Sequence, residues 1–435
     1  MLDFGRSDDA RVQAQLDRLS ALSVPQGRLG LETIRALMER LDNPHRKLPP
    51  VFHVAGTNGK GSVCAFLRAM LEADGKRVHV TTSPHLVRYN ERIRIAGDLI
   101  SDEELAATLK EVLDNGEDLA PSFFEVTIAA AFLAFSRTPA DACVVEVGLG
   151  GRFDATNVLE ADAVAACGIA ALGIDHEAFL LAPEDGVPKE PMARIAFEKA
   201  GIAKRGVPLV TMGVDYPKEA RKALTKVARS ASARLIEFGP DWGVDEWGGW
   251  YSEGDMDLFP FTDVALPGEH QFLNAGLAIS LLRHQSCVPV SEEAFISGGK
   301  QAVWPARLQW LADGPLTVLV PDQSVLLDGG HNRSAGEAMA KWGASNSIHL
   351  ILGMLAVKDP LALLEPLGDQ VRTLQVVPVP GHDSHDADAF GQDARAATDL
   401  EDALLNVPSD DYPVLIAGSL YLAGEALKLN DEIPT

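Results

Sequence analysis

A short glycine-rich segment carries the clearest chemical signal in the sequence. Residues 56–62 read GTNGKGS and lie between a predicted buried strand at 51–55 and a predicted helix at 62–73. Backbone N–H groups at a helix N-terminus bind phosphate, and the ammonium group of Lys60 can neutralise phosphate charge. The strict phosphate-loop pattern is not met, because Gly61 separates Lys60 from Ser62. The flanking strand and helix nevertheless predict a phosphate-binding loop for a nucleotide.

Three other side chains have the chemistry of ligands for a hard cation. Ser83 follows the second predicted strand, Glu146 lies at the end of the third, and His176 follows the fourth. One histidine or one carboxylate at a strand end is typical of a structural residue. The carboxyl ends of parallel strands meet at one edge of a sheet, however, so these three positions together indicate a cation site.

The elements that must position these residues alternate between strands and helices. Strands are predicted at 51–55, 77–81, 142–147 and 163–174, and helices at 62–73, after the capping boxes Ser101–Glu104 and Ser122–Glu125, and at 270–284. This alternation predicts an α/β fold with a mostly parallel sheet, whose ligands bind beyond the carboxyl ends of the strands.

A second, smaller α/β domain is predicted in the last third of the chain. Residues 286–300 have the composition of a linker, and further strands are expected near Val318, 324–327, 349–352, Thr373 and Val414. We therefore assign residues 1–297 to a large P-loop nucleotide-binding domain and residues 298–435 to a smaller Rossmann-like α/β domain. The catalytic cleft is expected between the two.

Composition and charge limit the class of protein. The 435 residues suffice for about three domains of average size, and 46% hydrophobic with 23% charged residues is typical of a soluble globular chain. With 38 Lys and Arg against 62 Asp and Glu, the formal charge of −24 opposes nonspecific binding to nucleic acid or to an anionic membrane. A polyanionic ligand must therefore be held by local positive features.

The remaining signals are those of a cytoplasmic protein with free thiols. The cysteines, Cys64, Cys143, Cys167 and Cys287, are too scattered to indicate disulfides or a zinc site. The N-terminus lacks a basic region followed by an apolar one, and the longest apolar stretch, 126–135, is far below the ~20 residues of a membrane span.

Two conspicuous segments receive structural interpretations. Trp242, Trp247 and Trp250 lie in a glycine-rich stretch and are expected to pack in a hairpin rather than form a ligand cage. The acidic stretch 383–402 is expected to be a solvated loop and helix face.

Together these segments resemble the folylpolyglutamate synthase and dihydrofolate synthase family, within the Mur ligase superfamily of ATP-dependent carboxylate–amine ligases. The resemblance spans most of the chain and rests on five motifs: GTNGKGS at 56–62, TSPHL at 82–86, EVGLGGRFDATN at 146–157, EKAGI at 198–202 and DGGHN at 328–332. The glycine after Lys60 is itself typical of this family. The stretch between His176 and Lys199 is longer than usual and contains three prolines.

The resemblance implies a role for each motif. ATP would be bound by Thr57, Asn58, Gly59, Lys60, Gly61, Ser62, Asn274, Arg307, Asp328 and His331. One magnesium ion would be held by Ser83 and Glu146, and a second by His176 and by Lys199 modified to a carbamate. The pterin-bearing acid would lie near Arg28, Ser122, Phe124, Phe153, Asp154 and Ala155. Lys60, Lys199, His176 and Glu146 would be the catalytic residues.

The resemblance also implies the reaction. ATP would phosphorylate the carboxylate of dihydropteroate or of a folate, and the amine of L-glutamate would attack the acyl phosphate, in a monomeric enzyme of folate biosynthesis and one-carbon metabolism. The alternatives are a Mur-type ligase of cell-wall precursors, a P-loop ATPase without ligase activity, and a noncatalytic paralogue. The presence of Glu146, His176 and Lys199 argues against the last. The sequence does not decide between dihydrofolate synthase, folylpolyglutamate synthase or both.

Overall fold

The computed structural model describes residues 5–22, 30–174, 180–245, 249–342 and 347–435. Arg28, His176 and Trp247, which the sequence singled out, lie outside these ranges. The chain divides into two compact units, the first comprising Met1–Ala265 and Glu269–Val303 and the second Leu266–Gly268 and Trp304–Thr435. No helix in the described part is long and apolar enough to cross a membrane.

The first unit is built on an eight-stranded sheet. Its strands are β1 (Val51–Ala55), β2 (Val78–Thr81), β3 (Ile93–Ile95), β4 (Asp98–Leu99), β5 (Ala142–Glu146), β6 (Val164–Ile169), β7 (Pro208–Thr211) and β8 (Arg234–Glu237), in the spatial order β4-β3-β2-β5-β1-β6-β7-β8. The pairs from β2 to β8 are parallel, whereas β3 and β4 add an antiparallel edge. All five residues of β1 are buried, as expected for a central parallel strand.

The helices of the first unit include those predicted from capping residues and apolar runs. They are α1 (Ala10–Ala21), α2 (Glu32–Arg40), α3 (Lys60–Ala73), α4 (Asp102–Gly116), α5 (Phe123–Arg137), α6 (Pro191–Ala200), α7 (Lys218–Ala231), α8 (His270–Arg283) and α9 (Glu292–Gly299). The Ser122–Glu125 capping box begins α5 as predicted. Because residues 126–135 are all buried, this helix is a core element rather than an amphipathic surface helix.

The interpretation of residues 286–300 as a linker is wrong. The segment forms α9, which packs on α3, with Phe295 buried and the Ser291 hydroxyl donating to Asp74 Oδ1 at 2.7 Å. At Gly298 the two helices are so close that an added Cβ would overlap the backbone of Met70. The glycine and serine content that suggested a linker therefore serves helix capping and close helix packing.

A small antiparallel sheet follows the last strand of the large one. It contains β9 (Trp242–Val244), β10 (Gly249–Glu253) and β11 (Met256–Phe261), in the order β11-β10-β9. The predicted hairpin packing is confirmed for Trp242, which is buried and meets the Phe238 ring edge-on at 5.0 Å between centroids. Trp250 is exposed.

The second unit contains a six-stranded sheet with helices, which confirms the predicted second α/β element. Its strands are β12 (Gln309–Trp310), β13 (Val325–Leu327), β14 (Ile348–Leu352), β15 (Val371–Val376), β16 (Ala394–Ala396) and β17 (Val414–Ala417), in the order β12-β13-β17-β14-β15-β16. β12 is antiparallel to β13, and the other neighbouring pairs are parallel. The helices are α10 (Arg333–Trp342), α11 (Leu361–Leu367), α12 (Leu400–Leu405) and α13 (Leu420–Leu429).

Three smaller predictions about local structure can also be checked. The prediction of a strand near Val318 is wrong, because Thr317–Leu319 forms a short 3₁₀ helix in which Val318 is exposed. The acidic stretch 383–402 includes β16 and the start of α12 besides the expected loop. The four cysteines are free thiols as predicted, and only Cys287 among them is exposed.

Gly298→Ala should destabilise the protein, because the added methyl group would push α9 away from the backbone of α3. Overpacking of this kind costs about 1–3 kcal/mol, so the midpoint of urea unfolding should fall. The matched control is Ser297→Ala on the neighbouring residue, whose hydroxyl donates to Glu293 O within the helix. Equal unfolding midpoints for the two variants would contradict the close contact.

Candidate active site

The phosphate loop connects β1 to α3, as predicted, and is hydrogen-bonded to the loop that follows β6. The backbone N–H groups of Thr57 and Asn58 donate to Ala171 O at 2.8 and 3.2 Å. The Thr57 hydroxyl donates to Gly173 O at 2.9 Å and accepts from Gly173 N at 3.0 Å. Because α3 begins at Lys60, these hydrogen bonds fix the backbone of the residues that lead into the N-terminus of that helix.

A pocket lies beside this loop and contains two lysines. It is lined by Gly56, Thr57, Lys60, Gly148, Leu149, Gly150, Leu180 and Lys199. The Lys60 ammonium group donates to Gly56 O at 3.1 Å, and that of Lys199 donates to the same oxygen at 2.8 Å. Two lysines and a helix N-terminus are suited to a bound polyanion. They are the local positive features that a chain of formal charge −24 requires.

Lys199 reaches the pocket because the C-terminus of α6 docks on the loop after β5. Arg152 N donates to Glu198 O at 2.8 Å. A Cβ on Gly151 would lie 2.9 Å from the carbonyl oxygens of both Glu198 and Lys199, and a Cβ on Gly201 would lie 2.6 Å from Arg152 Cα. Only glycine permits this approach from either side. The EVGLGGRFDATN and EKAGI motifs are thus the two halves of one contact.

Asn157 links the same two elements through its side chain. Its Nδ2 donates to Arg152 O at 2.9 Å and to Gly201 O at 3.1 Å. Its Oδ1 accepts from Lys204 Nζ at 2.7 Å. Asn157, the last residue of the EVGLGGRFDATN motif, therefore stabilises the docked position of α6.

Asp154 organises the loop after β5 from inside the protein. Its buried carboxylate accepts hydrogen bonds from Leu149 N at 2.8 Å, from Thr156 N at 3.0 Å and from the Thr156 hydroxyl. Burial raises the pKa of Asp154, against the effect of these hydrogen bonds. Because Leu149 lines the pocket, this aspartate acts on the pocket wall.

A buried histidine extends this arrangement. His53 Nε2 lies 2.8 Å from Thr156 Oγ1, and since that hydroxyl donates to Asp154, the histidine must be the donor to it. His53 Nδ1 is buried with no hydrogen-bond partner among the described residues. Protonation would place an unpaired charge there, and burial accordingly lowers the pKa of His53 to about 3.

Ser83 and Glu146 are brought together at the carboxyl ends of β2 and β5, as the sequence predicts. Ser83 N donates to Glu146 Oε2 at 3.1 Å, and Glu146 is 4% exposed. The backbone contact places the Ser83 residue beside the Glu146 carboxylate, and hydroxyl and carboxylate oxygens are ligands of the kind that Mg²⁺ or Mn²⁺ prefers. Among the described residues no group of three His, Cys, Asp or Glu side chains gathers at a metal-sized distance.

The residues proposed for a pterin lie in several environments. Phe124 lies against Gly148, a residue of the pocket wall, and a Cβ added to that glycine would overlap the Phe124 ring. Ser122 accepts from Glu125 N at the start of α5. Phe153 stacks under the Arg152 guanidinium at 4.2 Å. Asp154 and Ala155 are buried.

Asn274 belongs to the phosphate loop's surroundings although 214 residues separate it from Lys60 in the chain. It lies on α8 and is buried, and its Nδ2 donates to Gln271 Oε1 at 3.0 Å. Its Oδ1 is only 2.5 Å from where a Cβ on Gly59 would stand. Gly59 also has a positive φ of 80°, so both space and backbone conformation require glycine there.

Arg307, Asp328 and His331 form a separate cluster in the second unit. The buried Asp328 carboxylate follows β13 and accepts from Leu308 N at 2.9 Å and from Gly330 N at 2.7 Å. Burial raises the pKa of Asp328. Both neighbours of Arg307 have left-handed backbone, with φ of 57° and 44°, and this strain is typical of functional loops. His331 Nδ1 lies 3.2 Å from Gly329 O.

Sequence reasoning missed several residues of the pocket wall. Leu180 lines the pocket, and Glu184 and Arg194 form ion pairs near it with Arg152 and Glu198. Arg152 and Glu198 belong to the EVGLGGRFDATN and EKAGI motifs, from which no role is predicted for either. Leu180 and Glu184 lie in the long stretch before α6, where no pattern indicates a partner.

The chain is similar to known ligases along most of its length, although no protein-family model matches it. It is 32% identical over 437 residues to the dihydrofolate synthase/folylpolyglutamate synthase of Bacillus subtilis strain 168, covering 92% of this chain and 94% of that protein. E. coli FolC in complex with DHPP and ADP matches with a TM-score of 0.83 and 28% identity, covering 97% of each chain. A bifunctional folylpolyglutamate synthase/dihydrofolate synthase with Mn, AMPPNP and L-glutamate bound matches with a TM-score of 0.81 and 29% identity, covering 96% of this chain and 97% of that chain.

His53→Gln should change how stability depends on pH. The folded-state pKa of His53, about 3, is below the unfolded value of about 6.5. Below pH 6.5 the unfolded chain therefore binds a proton that the folded chain does not. The wild type should lose stability from this residue by up to about 1.4 kcal/mol per pH unit as the pH falls from 6.5 to 5. Glutamine keeps a donor nitrogen and does not titrate.

The measurement is urea unfolding of the wild type and of His53→Gln at pH values from 7.5 to 5. The stability advantage of the wild type should shrink as the pH falls. A difference that stays constant over this range would mean that His53 is not held neutral in the fold.

Proposed function

This chain belongs to the dihydrofolate synthase/folylpolyglutamate synthase family, and we propose that the pocket around Lys60 and Lys199 is where it activates a carboxylate with ATP. It is an ATP-dependent ligase that joins L-glutamate to a pteroate or folate and uses a divalent metal ion. The observation that carries our placement of the reaction is the pair of lysines on Gly56 O at the N-terminus of α3.

The chemistry requires activation because a carboxylate is a poor electrophile at neutral pH. A carboxylate oxygen of the acid attacks the γ-phosphorus of ATP, the bond to the β–γ bridging oxygen breaks, and ADP leaves. The uncharged amine of L-glutamate then attacks the acyl carbon, phosphate leaves, and a proton is lost as the amide forms. Lys60 and the backbone N–H groups at the N-terminus of α3 neutralise charge on the phosphoryl oxygens. Holding the reactants in line supplies much of the remaining rate.

Ser83 and Glu146 are the proposed ligands of the divalent ion. The Ser83 backbone N–H donates to Glu146 Oε2 at 3.1 Å, and Glu146 pairs in the sheet with Val54 on β1, the strand that precedes the phosphate loop. The Ser83 hydroxyl and the Glu146 carboxylate are the oxygen ligands in this proposal. When bound, such an ion neutralises charge on phosphate oxygens. We further propose that the ion is magnesium and that a second one is held by His176 and a carbamate on Lys199.

The surroundings of Lys199 support the carbamate. Its Nζ shares Gly56 O with the Lys60 ammonium group, so two like charges meet at one oxygen when both lysines are protonated. In carbamylation the uncharged Lys199 amine attacks the carbon of CO₂ and loses a proton. The product replaces one of the two cations with an anion, and Lys60 then has a partner of opposite charge.

The remaining assignments extend this proposal to the other substrates. Asn274 and the cluster of Arg307, Asp328 and His331 would contact the nucleotide. The pterin-bearing acid would lie near Ser122, Phe124, residues 153–155 and Arg28. We propose that both dihydropteroate and reduced folates are accepted as substrates. Three further points stay predictions: the monomeric state, the cytoplasmic location, and the division of roles between residues 1–297 and 298–435.

Lys60→Ala should lower glutamate-dependent ADP release by about 100-fold or more, since removing one preorganised group that stabilises transition-state charge has an effect of this size. The assay uses purified protein with magnesium and bicarbonate, and either dihydropteroate or tetrahydrofolate. Lys110→Ala is the control, because Lys110 lies on the surface of α4 and pairs with Asp114. Near-normal turnover of Lys60→Ala would contradict the placement of the reaction.

The wild type in the same assay distinguishes the substrates. Turnover with both acids establishes the bifunctional enzyme, and turnover with one acid selects that branch. ADP release that needs neither glutamate nor pterin would instead indicate an ATPase, one of the alternatives above.

Lys199→Arg and Lys199→Ala separate a carbamate from a free ammonium group. If the carbamate is the working form, the arginine variant should be as inactive as the alanine variant, although arginine keeps the positive charge. A small carboxylic acid such as acetate should partly restore Lys199→Ala, because it returns an anion to the site. An active Lys199→Arg variant that does not respond to bicarbonate would rule out the carbamate.

A further inference from the structure

The described part of the long stretch before α6 contributes one wall of the pocket. Leu180 is 5% exposed, lines the pocket, and lies 2.9 Å from where a Cβ on Gly150 would stand. Residues 182–186, by contrast, are exposed. A surface segment has little apolar burial to hold it, so a specific interaction must keep Leu180 against Gly150.

Glu184 supplies that interaction through two arginines on different elements. Its Oε1 accepts from Arg152 Nη1 at 2.9 Å, and its Oε2 accepts from Arg194 Nη2 at 2.8 Å. Arg152 belongs to the loop after β5, and Arg194 lies on α6. Hydrogen bonding from Arg152 lowers the pKa of Glu184, so this carboxylate is an anion at neutral pH. The segment is thereby tied to both elements that carry pocket residues.

Arg152 has further partners besides Glu184, and Arg194 also forms an ion pair with Glu198. Arg152 also donates to Glu198 from Nε at 3.1 Å and from Nη2 at 2.9 Å, and Arg194 Nε lies 3.0 Å from Glu198 Oε1. The Arg152 guanidinium lies 4.2 Å from the Phe153 ring and 4.9 Å from the Phe197 ring. Glu198 and these rings therefore hold Arg152 in place, whereas Arg194 would keep only its ion pair with Glu198. Loss of Glu184 would release the 180–190 segment and leave α6 docked.

We propose that Glu184 is a positioning residue that latches the 180–190 segment to Arg152 and Arg194, so that Leu180 closes the pocket wall beside Lys60 and Lys199. This inference rests on the proposed function of the pocket. An isolated surface ion pair contributes little. Glu184 differs because both of its oxygens accept hydrogen bonds from oriented arginines, and because it holds a short segment and not the whole fold.

The consequence for the reaction is control of water. A closed apolar wall next to the transferring phosphoryl group lowers the access of water to ATP and to the acyl phosphate. With the latch broken, water competes with the carboxylate for the γ-phosphoryl group and with the glutamate amine for the acyl carbon. Glu184 should therefore affect the ratio of amide formed to ATP consumed more than it affects nucleotide binding.

Hydrogen–deuterium exchange tests the latch without using catalysis. In Glu184→Ala, amide exchange of peptides covering 180–187 should be about fivefold faster with ADP present, as expected for the loss of an interaction of ~1 kcal/mol. Peptides covering α6 should be unchanged. Asp185→Asn is the matched control, because it removes a neighbouring exposed carboxylate that makes no ion pair in the described structure. Equal exchange in the two variants would overturn the latch.

Product ratios test the consequence for catalysis. Glu184→Ala should release about three to five times more ADP per amide formed than the wild type, with a small change in the KM for ATP, and Glu184→Gln should fall between them. Leu180→Ala should show the same excess, and adding Glu184→Ala to it should change little, because both act on one wall. An unchanged ratio in Glu184→Ala, or independent effects of the two substitutions, would overturn the role of Glu184.

The two experiments also separate this inference from the proposed function. A protein whose wild type forms no amide, yet whose exchange responds to Glu184→Ala as described, would retain the latch and lose the proposed function. If the wild type forms the amide and Glu184→Ala leaves the ratio of ADP to amide unchanged, the proposed function stands and the role of Glu184 is lost.

Discussion

The close approach of α6 to the loop after β5 is the constraint on which the site depends. Two glycines, Gly151 and Gly201, allow backbone to meet backbone at this contact, and neither position has room for a Cβ. Because of this contact, Lys199, which lies 143 residues after Gly56 in the chain, donates a hydrogen bond to the carbonyl oxygen of Gly56. A larger residue at either glycine would separate the helix from the loop and withdraw the lysine. The loop's other glycines then form part of the pocket surface.

Charge is organised around this contact in two layers. The inner layer is positive, with Lys60, Lys199 and the N-terminus of α3 at the phosphate loop. Behind it Arg152 and Arg194 are balanced by Glu184 and Glu198, so the arginines serve as structural ties, and phosphate binding is proposed for the lysines alone. A strongly acidic chain can thus bind ATP, because the field at the pocket is set by a few nearby groups and not by the distant surface carboxylates.

Buried polar groups give the pocket wall its fixed shape. Both carboxylate oxygens of Asp154 accept hydrogen bonds, from Leu149 and Thr156, and the Thr156 hydroxyl is also hydrogen-bonded to His53. In this conformation Asp154 acts on the substrate region through the loop that it shapes. Such satisfied networks rigidify a site. They also make the stability of the fold depend on pH, because a buried histidine such as His53 must stay neutral.

Residue order alone predicts the α/β class, the glycine-rich loop between β1 and α3, the capped helix α5 and the strand-end positions of Ser83 and Glu146. These features follow from local periodicity, turn chemistry and the shared edge of parallel strands. The prediction from sequence failed at α9, where glycines that permit close packing on Met70 resembled linker composition. Three contacts became visible in the folded chain alone: Lys199 and Lys60 meet at one oxygen, Asn274 lies over Gly59, and Glu184 pairs with both Arg152 and Arg194. Those contacts join residues that are far apart in the chain, or in segments without periodicity, and their partners are chosen by the packing of whole elements, which no local pattern encodes.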